Sequence, residues 1–166
     1  EINAATQNYQ KLNEQSMVLR VRNLADGDAR ATYKNVTLDM RQYRRLKMEV
    51  HAEALIGEPL QDDEVTVFVR LGSDYRGNFY EYEIPLKLTP YGRYNNDVEE
   101  QRAIVWPEEN KIDIDLSQLL DAKQARDAAM RIPGSVISEA DIWSVQSGNV
   151  RISVSGSPNL SNVRVV

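Results

Sequence analysis

The chain has 166 residues, 42% hydrophobic and 27% charged, a balance that fits one globular domain of ordinary size. Its formal charge of −5 argues against nucleic-acid binding, because neutralising phosphates requires a net basic face. The absence of cysteine excludes disulfides, thiol nucleophiles and thiolate metal sites, and no apolar run approaches the ~20 residues of a membrane-spanning helix.

Residues 1–15 are polar and aperiodic, and read as an arm or linker. Neither an initiator methionine nor a signal-peptide pattern stands at Glu1, and Val163 to Val166 read as an apolar strand running to the last residue. Both features lead to the expectation of a single domain, residues 16–166, excised from a longer chain. Met17, Leu19 and Val21 alternate with Arg20 and Arg22, as in a half-buried strand. Asp26-Gly27 then supplies a turn. Alternation resumes over Thr32 to Met40, and again at Leu46, Met48, Val50 and Ala52, with Lys47, Glu49 and His51 facing out. Val65, Val67, Val69 and Leu71 make the cleanest strand, and Gly77-Asn78 suits the hairpin tip before Tyr80, Tyr82 and Ile84.

Thr89 to Gln101 reads as a polar loop, and Ile104 to Trp106 as a short strand stopped by Pro107. Ile112, Ile114 and Leu116 alternate with Asp113 and Asp115. The period then changes: Ser117 to Arg131 carries helix formers, a Ser/Asp start, and Arg126 and Arg131 near the end, and predicts a short helix near residues 117–130. Lys123 and Asp127 interrupt the apolar stripe of Leu116, Leu119 and Leu120, so this helix should dock mainly by its first turns. Val150, Ile152 and Val154, then Val163 and Val165, complete roughly eight or nine strands. Strands at this spacing, with one short helix, predict a mainly β fold, an antiparallel β-sandwich.

Several stretches resemble the SprA (Sov) family. They are Leu19 to Ala31, Asp39 to Met48, Val50 to Glu53, Val69 to Asp74, Tyr80 to Leu86, Val105 to Asn110 and Gly156 to Val165. The resemblance covers about residues 16–166. It implies a piece of the giant outer-membrane protein of Bacteroidetes through which folded cargo crosses in type IX secretion, a system that serves gliding motility in some relatives. It implies no catalytic site and no cofactor. The implied partners are the remainder of that protein and its plug or cargo proteins. The charged outward faces of these strands would not suit a lipid-facing barrel wall, so the piece is expected to be a soluble domain on the extracellular or periplasmic side. Asp39 to Met48 and the closing strand also resemble jelly-roll carbohydrate-binding modules, which makes a glycan a second possible partner. Fold alone does not confer that function.

The remaining candidates rest on residue chemistry. His51 is the only histidine, and one histidine without cysteine is a poor zinc site, so a solvated or hydrogen-bonding role is expected. Asp62 with Asp63, Glu81 with Glu83, and Asp113 with Asp115 could in principle act as acid and base, but such pairs more commonly form acidic outer faces. Asp26 and Asp28, or Asn95 to Asp97, offer oxygens to calcium but fit ordinary turns better. The basic cluster Arg41, Arg44, Arg45 and Lys47 reads as a solvated turn with local ion pairs. Tyr75, Phe79, Tyr91 and Tyr94 stand in or beside loops, where aromatics anchor a protein partner or stack on sugar, and they are the expected binding residues.

Overall fold

The computed structural model describes residues 16–36, 38–161 and 163–166, so the arm expected over residues 1–15 lies outside the described residues. The chain divides into a unit ending at Ala31 and a unit running from Thr32 to Val166. In the first unit, residues 16–22 form no strand, contrary to their alternation. Period two makes a segment fit for a sheet, but a strand exists only when a neighbour accepts its hydrogen bonds. The turn at Asp26-Gly27 is present: Asp28 N donates to Ala25 O at 3.0 Å, and Gly27 takes φ +78°. Asp26 keeps a negative φ, so this is a type II turn, which needs glycine at its third position.

Among the described residues, the second unit holds eight strands and two α-helices. They are β1 (Lys34–Asn35), β2 (Arg45–Met48), β3 (Thr66–Gly72), β4 (Phe79–Pro85), α1 (Glu99–Val105), β5 (Ile112–Asp115), α2 (Leu116–Met130), β6 (Trp143–Ser147), β7 (Val150–Ser155) and β8 (Arg164–Val165). One six-stranded sheet runs in the order β1-β8-β3-β4-β7-β6, and β2 pairs with β5 in a separate ribbon. Every pairing is antiparallel. The mainly antiparallel β character thus follows the alternation, while the layer opposite the large sheet is part ribbon and part helix.

Register explains the core. Leu71 opposes Tyr80, Tyr80 opposes Val154 and Val154 opposes Trp143; one rung along, Val69, Tyr82, Ile152 and Val145 line up in the same way. Apart from Val145, these rows pack with Ile112 and Ile114 of β5 and with Leu116, Leu119 and Ala122 of α2. Ile112, Ile114 and Val154 are fully buried. Each such side chain contributes about 1.5–3 kcal/mol on burial. Burial pushes the phenol pKa of both Tyr80 and Tyr82 up, which keeps them neutral.

Three expectations need correction. Ile104 to Trp106 is not a strand: Ile104 and Val105 end α1, whose first turn carries Glu99 and Glu100 at the favourable end of the helix dipole. Among the described residues of the stretch 32–40, only Lys34–Asn35 pairs as a strand, and Met40 begins a 3-10 turn capped by Asp39. Finally, α2 is not docked by its first turns alone. Arg126, 1% exposed, occupies the buried stripe that Leu116, Leu119 and Ala122 begin.

Arg126 is buried because backbone oxygens receive it. Its Nη1 donates to Gly156 O at 2.7 Å and to Glu139 O at 3.3 Å, while Nε and Nη2 hold Asp127 Oδ1 at 3.1 and 2.9 Å. A buried guanidinium is tolerated when its donors are satisfied in this way. Gly156 in turn takes φ +63°, and a Cβ there would lie 2.0 Å from Gly77 O. The chain thereby joins α2, the loop before β6 and the β3–β4 hairpin tip at one glycine. Asn110, fully buried, ties another seam: Lys87 N donates to its Oδ1 at 2.7 Å and its Nδ2 donates to Lys87 O at 2.8 Å.

Candidate interaction surface

Residues of the opposite parity form the outer face of the six-stranded sheet. Across its centre run Arg70, Glu81, Ser153 and Ser144, and beside them Phe68, Glu83, Arg151 and Gln146. Arg70 Nε and Nη2 donate to Glu81 Oε2 at 2.9 and 2.6 Å, and its guanidinium lies 3.7 Å from the Phe79 ring centroid. Arg151 Nε donates to Glu83 Oε2 at 2.7 Å, and Thr66 Oγ1 donates to Glu83 Oε1 at 2.6 Å. The paired carboxylates Glu81 and Glu83 are thus each held by an arginine on a neighbouring strand.

The other carboxylate pairs are also engaged. Asp113 receives Arg45 at 2.6 Å and lies 3.8 Å from Lys47, and Asp115 caps α2 by accepting from Ser117 N at 3.0 Å. Lys87 Nζ reaches Asp63 at 2.6 Å and Asp62 at 3.9 Å. Arg41 is held by Asp39 at 2.7 Å, so most of the basic cluster consists of local ion pairs. His51 Nδ1 lies 2.9 Å from Val105 O and 3.1 Å from Thr89 Oγ1, which makes it a bridge between the end of α1 and the segment after β4. Donation to Val105 O requires the proton on Nδ1. Asn95 Oδ1 accepts from Asp97 N at 3.0 Å in an Asx turn. Among the described residues, no three histidine, aspartate or glutamate side chains gather as a metal site requires.

The four aromatic candidates do not converge. Tyr75 lies at the β3–β4 tip, where its ring stacks on Tyr33 at 4.6 Å and Arg164 sits 5.7 Å from its centroid. Phe79 is 1% exposed beneath Arg70, so it is a packing residue rather than a surface anchor. Tyr91, 86% exposed, and Tyr94 follow the far end of β4. Seven strand residues at ~3.3 Å each put roughly 20 Å between the two groups. Tyr94 is turned onto its own loop, its hydroxyl donating to Pro90 O at 2.7 Å. Tyr33 and Arg164 join Tyr75 only through the β1-β8-β3 order, and no local motif marks them. A shallow cleft of about 310 Å³ lies along the same face, between Thr66, Glu83, Gln146 and Arg151.

Asp74 secures the hairpin tip. Its Oδ1 accepts from the backbone N–H groups of Arg76, Gly77 and Asn78 at 2.7–3.0 Å, and its Oδ2 accepts from Asn78 Nδ2 at 2.7 Å. The Asn78 side chain, together with the amides of Gly77 and Arg76, holds its carboxyl well below the usual carboxylate range.

No helix among the described residues is long and apolar enough to cross a membrane. No curated protein matches the chain. The family described as motility related/secretion protein, SprA_N, matches residues 1–166. The chain belongs to this family and is a non-catalytic part of the outer-membrane translocon of type IX secretion.

Proposed function

We propose that this domain works by docking, holding other segments of the same outer-membrane protein, and plug or cargo proteins, against its outer sheet face and loops. Residues 16–166 would be one domain of that longer chain, outside the bilayer on its extracellular or periplasmic side, with residues 1–15 as a linker. The observation that carries the reading is the division of labour among side chains. The carboxylate pairs are engaged by internal cations or caps, while Tyr33 and Tyr91 are exposed, and Tyr75 half-buried, at the surface offered to partners. Tyr94 would take part only by supporting the loop that presents Tyr91.

A carbohydrate-binding role is the second reading, and it is the one for which the jelly-roll likeness speaks. It calls for a flat aromatic platform, whereas Tyr33 and Tyr75 are tilted by 39° and Tyr91 stands apart from them. Photo-cross-linking separates the two readings. With a benzophenone side chain at Tyr91 or at Tyr75 in the full-length protein, docking predicts discrete polypeptide adducts at both positions. Absence of polypeptide adducts, with saturable signal on a glycan array, would replace docking by sugar recognition.

A further inference from the structure

We propose that strand β6 is an acceptor edge that takes an extended polypeptide segment as a seventh strand of the sheet. Among the described residues β6 is a terminal strand, paired only with β7, over five consecutive positions from Trp143↔Val154 to Ser147↔Val150. Gly148-Asn149 closes a two-residue hairpin, with Gly148 at φ +58°, so Ser147 and Val150 form a hydrogen-bonded pair. Bonding alternates from there, which makes Val145 and Trp143 the residues bonded to β7. The N–H and C=O groups of Ser144 and Gln146 therefore point away from the sheet, and among the described residues they meet no backbone partner.

The other edges show what protection looks like in this chain. β1 at the opposite edge is two residues long and carries Lys34, and the ribbon strands carry Arg45 and Lys47 or Asp113 and Asp115. Charge and shortness of this kind block strand addition. Trp143 to Ser147 contains no charge and no proline, and its register with β7 has no bulge. It exposes apolar surface: Val145 within the strand is 38% exposed and Ile142 just before it 64%. The nearby acids precede the strand and are engaged locally, Asp141 accepting from Ser138 N and Glu139 from Ser157 Oγ. A neutral edge with two free peptide groups, and Val145 on the core-side parity, fits an uncharged extended segment with apolar side chains at alternate positions. The segment's apolar parity would lie beside Val145 and widen the buried layer.

The inference rests on the docking reading only in taking the domain to be a binder, and its test is separate. The probe is a fluorescent uncharged peptide, acetyl-Ser-Thr-Val-Thr-Val-Thr-Ser-amide, titrated against the chain, with a counterpart N-methylated at alternate residues. Saturable binding is expected, weakened roughly tenfold or more by Gln146→Pro and abolished by N-methylation on the edge-facing parity. Gln146→Pro removes an outward N–H and leaves the β7 ladder intact, so its melting midpoint should match wild type. Absence of saturable binding below about 1 mM, the weak limit of specific recognition, would overturn the proposal. Equal binding by the N-methylated peptide or by a folded Gln146→Pro variant would overturn it too. A dimer with protected Ser144 and Gln146 amides would assign the edge to a second copy instead. None of these outcomes bears on cross-linking at Tyr91.

Discussion

Replacing Arg126 by alanine should be the most damaging single change to the fold. The side chain is 1% exposed and makes four hydrogen bonds, two of them to backbone carbonyls of Gly156 and Glu139. Truncation strands Gly156 O in the interior, removes the cation beside Asp127 and opens a cavity at the seam between α2 and the sheet. Removing one partner of a buried charged network costs about 3–5 kcal/mol. At ~3 °C per kcal/mol for a chain of this length, the melting midpoint should fall by about 10–15 °C. Arg126→Met keeps most of the volume and removes the charge, so it should cost less, about 1–3 kcal/mol, from the unpaired carbonyls alone. Urea denaturation of both variants, with slopes compared to wild type, measures the difference. If Arg126→Ala lies within about 1 kcal/mol of wild type, the seam does not depend on the guanidinium and the reasoning fails.

Three further outcomes follow from the same geometry. Asn110→Ala removes two buried hydrogen bonds to Lys87 and should cost about 2–4 kcal/mol in urea unfolding, whereas an exposed change such as Glu58→Ala should be near neutral. Gly156→Ala forces a left-handed residue into contact with Gly77 O and should cost about 2–4 kcal/mol, seen as a lower melting midpoint. Asp74 has a depressed pKa when folded, so its stabilisation is present above the unfolded carboxylate value of ~3.9 and is lost as pH falls below it. Urea midpoints at pH 7 and pH 3 should therefore converge in Asp74→Asn relative to wild type, and an unchanged acid dependence would show that the hairpin tip does not carry that linkage.

Legibility in the sequence followed the strength of local pattern. β3, β4, β5 and β7 are read correctly because Val67-Val69-Leu71, Tyr80-Tyr82-Ile84, Ile112-Ile114 and Val150-Ile152-Val154 alternate without interruption, and α2 because the period changes after Asp115. β6 escapes such reading: Ser144, Gln146 and Ser147 leave only Trp143 and Val145 as apolar positions, and it forms because β7 offers a free ladder. Residues 17–22 show the converse, a strong alternation with no ladder to join. Arg126 was hidden because a buried arginine breaks the apolar stripe that would have shown how far α2 docks. On the surface, Tyr75 and Tyr91 are visible as loop aromatics, but Phe79 is not separable from them until Arg70 is seen covering it. The grouping of Tyr33, Tyr75 and Arg164 depends on strand order, a long-range property that no local window contains.

The account makes this domain a scaffold whose contribution to secretion depends on being folded, with no covalent step at its carboxylates or at His51. Cargo export should be measured in cells whose translocon carries Glu83→Gln, Asp113→Asn, His51→Gln or Arg126→Ala, beside the melting midpoint of each variant. Export is expected to follow the folded fraction, near normal for the first three and lost for Arg126→Ala at growth temperature. A fully folded carboxylate or histidine variant that secretes nothing would contradict the account.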